Sequence, residues 1–355
     1  LYCVDKFLCF SFINITKAAP PRCGNRNKHE TARKAIKRKK GGVKMSKRVL
    51  VIGSANIDFV LSADKFPVAG ETIIADGTYS YIPGGKGANA AVAAARLGGE
   101  VVFCTRVGDD AYGDRLYKIY AENGIDRRFV KVDPTEQTGL AVVMVEGGGQ
   151  NRIIVFPGAN KSIGESDIES SFLTYPDIAV TNLEISSIAV ELASRLAEKD
   201  RVPFVLDCGG VSRGFTLKGV KCAEIVSPNE IETEILTGIR PDSLDNCLKA
   251  CIKLCNLTAI KYAVLKLGAR GSYIYDGKYC DICGPYEVDA VDSTAAGDAF
   301  TSALALEYSR NGGDIYSACR YANAVGALTV TRRGAISSLP TEGEVRVFMS
   351  EHMQI

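Results

Sequence analysis

From Arg48 onward the chain switches repeatedly between two hydrophobic periods. "RVLVIGSANIDFVL" (48–61) opens as an unbroken apolar run and then turns polar, the pattern of a first parallel strand. "ETIIADGTYSYIP" (71–83) alternates and is rich in β-branched and aromatic residues, which predicts strand with a turn at Asp76–Gly77. "GGKGANAAVAAARLGG" changes to an alanine-rich helix stopped by Gly98 and Gly99. Strand is predicted for "EVVFCTRVGDD" and helix for "AYGDRLYKIYAENGI". "TGLAVVMVEGGGQNRIIVFPGA" (138–159) reads as a hairpin, two apolar strands around a glycine-rich turn.

The rhythm then becomes regular. Strand "DIAVTNLE", helix "SIAVELASRLAEK", strand "PFVLDCG" and "AEIVSPNE" lead into helix "IETEILTG". Helix "LDNCLKACIKLCNL" precedes "YAVLKLGARGSYIYD", read as one strand, and two helices follow, "AAGDAFTSALALEYSRNG" and "DIYSACRYANAVGALTVTR". Such alternation predicts an α/β sandwich, a mainly parallel central sheet covered on both faces. The β segments at about 57–83 and 138–157 interrupt it and predict a small separate sheet, a lid.

Charge divides the chain differently. The formal net charge of +2 conceals a basic arm, residues 1–44 holding about 12 Lys/Arg against about 2 Asp/Glu, ahead of a body near −8. That body lacks the basic bias of a nucleic-acid binder, and no apolar run approaches the roughly 18–20 residues of a membrane span. Residues 1–44 are expected to be disordered. They read either as a translated leader foreign to the native protein, because Gly41–Gly42 can be encoded as a ribosome-binding sequence two codons before Met45, or as a basic targeting arm. Residues 45–355 are expected to form the functional domain, in the cytoplasm.

The two histidines, His29 and His352, lie near the chain ends, which disfavours Ser-His-Asp, Cys-His and His-zinc chemistry. Proton transfer then falls to Asp, Glu, Lys, Tyr or Cys. Of the twelve cysteines, Cys247, Cys251 and Cys255 recur every fourth residue and are expected to pack along one helix face. Cys280 and Cys283 resemble half a zinc knuckle but lack a second pair of that spacing.

Two glycine-rich stretches carry candidate chemistry. "GGKGAN" (84–89) fails the phosphate-loop test, since Gly follows Lys86, and the first strand lacks a dinucleotide fingerprint. It is either a turn that starts a helix or backbone packed against a polyhydroxyl ligand, with Lys86 and Asn89 supplying hydrogen bonds. "DSTAAGDAF" (292–300) places Asp298 at a predicted helix start behind Ala295, Ala296 and Gly297. Small residues there let a ligand reach N–H groups suited to a transferring phosphoryl. A carboxylate repels phosphate, so Asp298 reads as a base for an attacking hydroxyl, or as an acid favoured by the helix dipole.

In their order, "GSANID", "GGKGANAAVAAARLG", "VGDDAYG", "TGLAVV", "SPNEIE", "LKLGARG", "DSTAAGDAF" and "VTRRGAISSLP" resemble the ribokinase-like PfkB family of sugar kinases from about Arg48 to Pro340. The resemblance implies a three-layer α/β fold with a β-sheet lid that commonly clasps a homodimer, and transfer of phosphoryl from Mg-ATP to the 5-hydroxyl of ribose. It implies Asp298 as base, the N–H groups of Ala295, Ala296 and Gly297 as anion hole, and a sugar site of Asn56, Asp58, Gly84, Gly85, Lys86, Asn89 and Glu184. It puts Asn229, Lys266, Gly268, Gly271 and Asn323 along the nucleotide, and Glu232 on Mg2+ through water. It also implies an activating K+ held by Asp292, Thr294, Thr329, Gly334 and Ser338.

The chain departs from the family pattern at three places. Ser293 stands for the usual Thr, Lys266 stands where Thr or Ser is more familiar, and "LDCGGVSRG" (206–214) replaces an Asn-Pro-Ala type of segment. The rival readings are a kinase of the same fold for 2-deoxyribose, fructose or a nucleoside, and a non-catalytic sugar- or nucleotide-binding regulator.

Overall fold

The first strand sets the layering. In β1 (Arg48–Ile52), Val49 and Val51 enter one hydrophobic cluster while Leu50 and Ile52 enter the other, because successive side chains point to opposite faces. All four are fully buried, each worth about 1.5–3 kcal/mol of apolar transfer. The computed structural model describes residues 46–147 and 150–352; the predicted leader or arm at 1–44 lies outside the described residues.

Eight further strands join β1: β4 (Glu100–Gly108), β5 (Val130–Asp133), β8 (Ile178–Thr181), β9 (Phe204–Asp207), β10 (Ala223–Ser227), β11 (Ile260–Lys266), β12 (Ser272–Tyr275) and β13 (Cys280–Cys283). The order is β13-β12-β11-β10-β9-β8-β1-β4-β5, parallel except for the β11/β12 and β12/β13 pairs. A second sheet of β2 (Asn56–Ala63), β3 (Tyr79–Gly84), β6 (Gly139–Glu146) and β7 (Asn151–Phe156) runs β3-β2-β6-β7. This is the lid predicted from the interrupted rhythm, with a parallel β2/β6 pair at its centre.

One face of the large sheet carries α1 (Lys86–Arg96), α2 (Ala111–Glu122), α7 (Ala296–Arg310), α8 (Ile315–Val330) and α9 (Glu342–Glu351). The other packs α3 (Glu165–Phe172), α4 (Ser187–Asp200) and α6 (Leu244–Leu257), with α5 (Glu230–Thr237) at its edge. Cys247 and Cys251 are buried on α6, as the four-residue spacing predicts, and Cys255 is half-buried. The pair at 280–283 forms the edge strand, where a spacing of three sends the two side chains to opposite faces.

Helix α7 is buried from Asp298 to Leu306. Its small residues let α1 approach closely enough for the Ser302 hydroxyl to donate to Ala90 O at 2.8 Å. The alanines on both helices therefore serve packing as well as any ligand.

Two sequence expectations need correction. Residues 71–78 form no strand: Ile74 is 97% exposed, and only Tyr79–Gly84 finds a partner, in β2. "YAVLKLGARGSYIYD" is two antiparallel strands, because Gly268 and Gly271 turn the chain between them.

Candidate active site

The chain reverses direction across the large sheet at β1, which lies between β8 and β4, and ligand crevices form beyond the carboxyl ends of strands at such points. Here the ends of β1, β8, β9, β10 and β11 deliver Ser54, Glu184, Asp207, Ser227 and Lys266 to one region. The starts of α1 and α7 bring Lys86, Asn89 and Asp298.

Asp298 occupies the first turn of α7 and is 6% exposed. Its Oδ2 accepts from Asn89 Nδ2 at 2.8 Å, and Lys86 Nζ lies 3.8 Å from Oδ1. Burial raises its pKa, Lys86 pulls it down and Asp207 raises it again; the balance is about 6. A carboxyl poised there accepts a proton near neutral pH without being always charged. Lys86 is held above the ordinary lysine range chiefly by Asp298, against its burial, with Glu184 adding to the effect. Asn89 Oδ1 is buried and has no partner among the described residues. An unmatched buried acceptor beside a candidate base suits a ligand hydroxyl.

The lid supplies the facing wall. Burial, with the charges of Glu184 and Asp298, pushes Asp58 up to about 7. Gly84 lets the Asp58 carboxyl approach the backbone, since a Cβ would stand 2.3 Å from Asp58 Oδ2 unless that side chain moved. Gly85 caps α1 at φ 91°, a left-handed region that favours glycine. Glu184 accepts from the Ser54 hydroxyl at 2.6 Å and from the Lys86 N–H at 3.3 Å. Asn56 Oδ1 is already taken by Asn160 Nδ2 at 2.7 Å.

Ala295 adopts φ 61° at the α7 N-cap, a conformation that costs an alanine about 1–2 kcal/mol. Of the three N–H groups predicted to form the anion hole, that of Ala296 is directed at Ser293 O at 3.3 Å. Asn229 and Glu232 form a reciprocal capping box on α5: the Glu232 N–H donates to Asn229 Oδ1 at 2.8 Å and the Asn229 N–H donates to Glu232 Oε2 at 2.8 Å. The N-x-x-E spacing thus has a local folding role besides any ligand role.

Lys266 is largely buried at the end of β11. Its Nζ lies 2.9 Å from Asp207 Oδ2, the side chains 11% and 7% exposed, so two of the departures from the family pattern form one buried ion pair. Asp207 also accepts from the Thr301 hydroxyl and, at 2.7 Å, from the Gly209 N–H. Gly209 packs closely on the Lys86 side chain, where a Cβ would stand 2.7 Å from Lys86 Cδ. Gly271 and Asn323 meet elsewhere, at the 283–284 segment: Asn323 Nδ2 donates to Cys283 O and Gly284 O, both at 3.0 Å, and a Gly271 Cβ would strike Cys283 O.

Asp292 ties two loops, accepting from Thr294 N–H (2.9 Å) and Oγ1 (2.6 Å) and from Gly334 N–H (2.8 Å). Burial works against its charge, but these donors hold its pKa below the ordinary value. The hydroxyls of Thr329 and Ser338 donate to Val325 O and Ala335 O.

Sequence reasoning missed Ser54, Asn160, Asp207 and Thr301. Two of them carried a signal: Asp207 ends a predicted parallel strand, and Thr301 lies three residues after Asp298 on the same helix face.

Comparison with known proteins adds four relationships. The sequence profile of the pfkB family carbohydrate kinases matches residues 46–342. The ribokinase of Haemophilus influenzae is 34% identical over 314 residues, covering 87% of this chain and all of that protein. The deoxyribokinase of Salmonella typhi is 30% identical over 305 residues, covering 85% and 98%. The structure of Arabidopsis thaliana ribokinase complexed with ribose and ATP superposes with a TM-score of 0.77 at 31% identity, over 86% of this chain and 99% of that one.

Proposed function

Because the chain belongs to the PfkB family of carbohydrate kinases, we propose that it transfers phosphoryl from ATP to the 5-hydroxyl of D-ribose, giving ribose 5-phosphate. The observation that carries this reading is Asp298, a buried carboxylate with a pKa of about 6 at the opening turn of α7, held between Asn89 and Lys86. Asp298 accepts the hydroxyl proton as the sugar oxygen attacks phosphorus, and the oxygen–phosphorus bond to ADP breaks. The α7 N-terminus, with the N–H groups of Ala295 and Gly297 and without that of Ala296, which is directed at Ser293 O, faces the charge of the transferring group. Asn89, with its unspent Oδ1, and Asp58 and Glu184 from the facing side orient sugar hydroxyls. Ribose is proposed over 2-deoxyribose because ribokinases outnumber deoxyribokinases among relatives of similar identity.

Two cations accompany this reading. Magnesium bound with ATP would neutralise phosphate charge. The buried Glu232 carboxylate, an oxygen donor of the kind magnesium takes, would hold it through water. The oxygens of Asp292, Thr294, Thr329, Gly334 and Ser338 suit potassium, and there the carboxylate already joins the loops that such an ion would fix. A homodimer through the lid sheet fits the exposure of Ile153, Val155 and Tyr79 on it, and light scattering on the full chain tests that state.

The test of the substrate is ATP consumption with ribose, 2-deoxyribose, fructose, adenosine and uridine, with and without potassium. Strong preference for ribose supports the reading. Preference for another acceptor moves the error to the pocket around Gly84–Asn89, and no turnover with any of them overturns the proposed transfer to ribose.

A further inference from the structure

The chain passes between the two sheets four times, and the crossings meet at one buried side chain. It enters the lid at Asn56 after β1, returns at Gly84, enters again at Gly139 and returns after Phe156. Asn160 lies on the tight helical turn that follows (Gly158–Ser162) and is 2% exposed. Its Oδ1 accepts from the Ala55 N–H at 2.8 Å, while its Nδ2 donates to Ala55 O at 3.2 Å and to Asn56 Oδ1 at 2.7 Å. The other crossings press on the same spot. A Cβ on Gly139 would stand 2.2 Å from Asn56 Oδ1 and 2.3 Å from Asn160 Nδ2, and one on Gly85 would stand 2.7 Å from Asn56 N. The Ala159 N–H donates to Gln137 O at 2.8 Å.

The direction of these bonds decides which way Asn56 faces. A backbone N–H can only donate, so the atom of Asn160 beside Ala55 N is its amide oxygen, and the atom beside Asn56 is its nitrogen. Asn56 therefore turns its oxygen toward Asn160 and keeps its two N–H donors for the other side. Side chains alternate along a strand, so Asn56 shares a face of β2 with Asp58, whose carboxyl feels the charges of Glu184, Asp298 and Lys86. On that crevice Asp58, Glu184, Asp298 and the unmatched Asn89 Oδ1 are all acceptors. A sugar hydroxyl that donates to one of them has lone pairs left, and an N–H from Asn56 complements them.

We propose that Asn160 is a positioning residue for the sugar: it pins the crossings into the lid and holds the Asn56 amide with its N–H groups toward the sugar hydroxyls. This rests on the kinase reading but not on the identity of the sugar.

The test measures sugar binding by calorimetry on the full chain, with ribose, 2-deoxyribose and fructose, and continues with whichever of them wild type binds most tightly. Asn160→Ala and Asn56→Ala should each weaken that binding about tenfold, with Mg-ADP affinity within about threefold of wild type. Because Asn160 acts through Asn56, the double variant should also lose about tenfold, where independent roles would give about a hundredfold. Asn160→Ala leaves the Ala55 N–H and Asn56 Oδ1 unpaired and can fail to fold. Gly139→Ala keeps every polar group, forces the two amides apart and should cost the same affinity. Losses that multiply in the double variant, or wild-type sugar affinity in Asn160→Ala or Gly139→Ala, overturn the proposal. If wild type binds none of the three sugars, the ribose reading falls and hydrogen exchange at the Ala55 amide decides: faster exchange in Asn160→Ala than in wild type supports the pin, and equal exchange overturns it.

Discussion

Replacing Asp298 by Asn removes the proposed base without changing the shape of the side chain, and the structure predicts two opposite effects. A general base contributes about 10²–10⁴-fold, so turnover with ribose should fall by at least a hundredfold while ATP still binds. Stability should rise. The folded-state pKa of about 6 lies above the ordinary aspartate value of 3.8, so the carboxylate is harder to ionise in the native protein than in the unfolded chain. The cost of ionising it therefore appears as pH rises through 3.8 and is complete above about 6. Two pKa units correspond to about 3 kcal/mol, which Asn, standing in for the neutral acid, does not incur. The advantage of Asp298→Asn should be about 3 kcal/mol at pH 8 and under about 1 kcal/mol at pH 4, or several degrees of melting temperature shrinking to one or two. ADP release and thermal melts at both pH values read the two effects. Turnover within tenfold of wild type refutes the base; a variant no more stable at pH 8 than at pH 4, relative to wild type, refutes the burial argument.

Asn89→Leu deletes both the donor to Asp298 and the unmatched Oδ1; the KM for ribose should rise about tenfold or more and that for ATP by less than about threefold, read by steady-state kinetics. Gly84→Ala puts a methyl 2.3 Å from Asp58 Oδ2, and about 1–3 kcal/mol of stability should be lost in urea titrations along with ribose affinity; an unchanged midpoint would refute the close approach. Wild-type turnover should be higher in potassium than in sodium, and Asp292→Asn should erase that difference; a variant still activated by potassium contradicts the proposed ion site.

Most long elements were legible because a single period governs them. The Cys-Leu-Ala spacing of 244–257 gives the bounds of α6, and the apolar runs give β1 and β4. Short elements were not: β5 has four residues, two of them charged, and α3 has only two apolar residues among Ser, Asp and Glu. Residues 71–78 alternate like a strand yet find no neighbouring strand, because pairing is a property of the whole fold. In the site, Asp298, Asn89 and Lys86 stood out in glycine- and alanine-rich motifs at helix starts. The Asp207–Lys266 pair did not, since its members lie 59 residues apart and meet only because β9 and β11 flank β10 in the sheet.

Ribose labelled with carbon-13 at every position, incubated with ATP, magnesium and potassium and followed by carbon and phosphorus NMR, tests the central claim most directly. The account predicts phosphorus coupling at carbon 5 and ADP formed in equal amount. Phosphorus on any other carbon, or ADP formed without phosphorylated sugar, would contradict it.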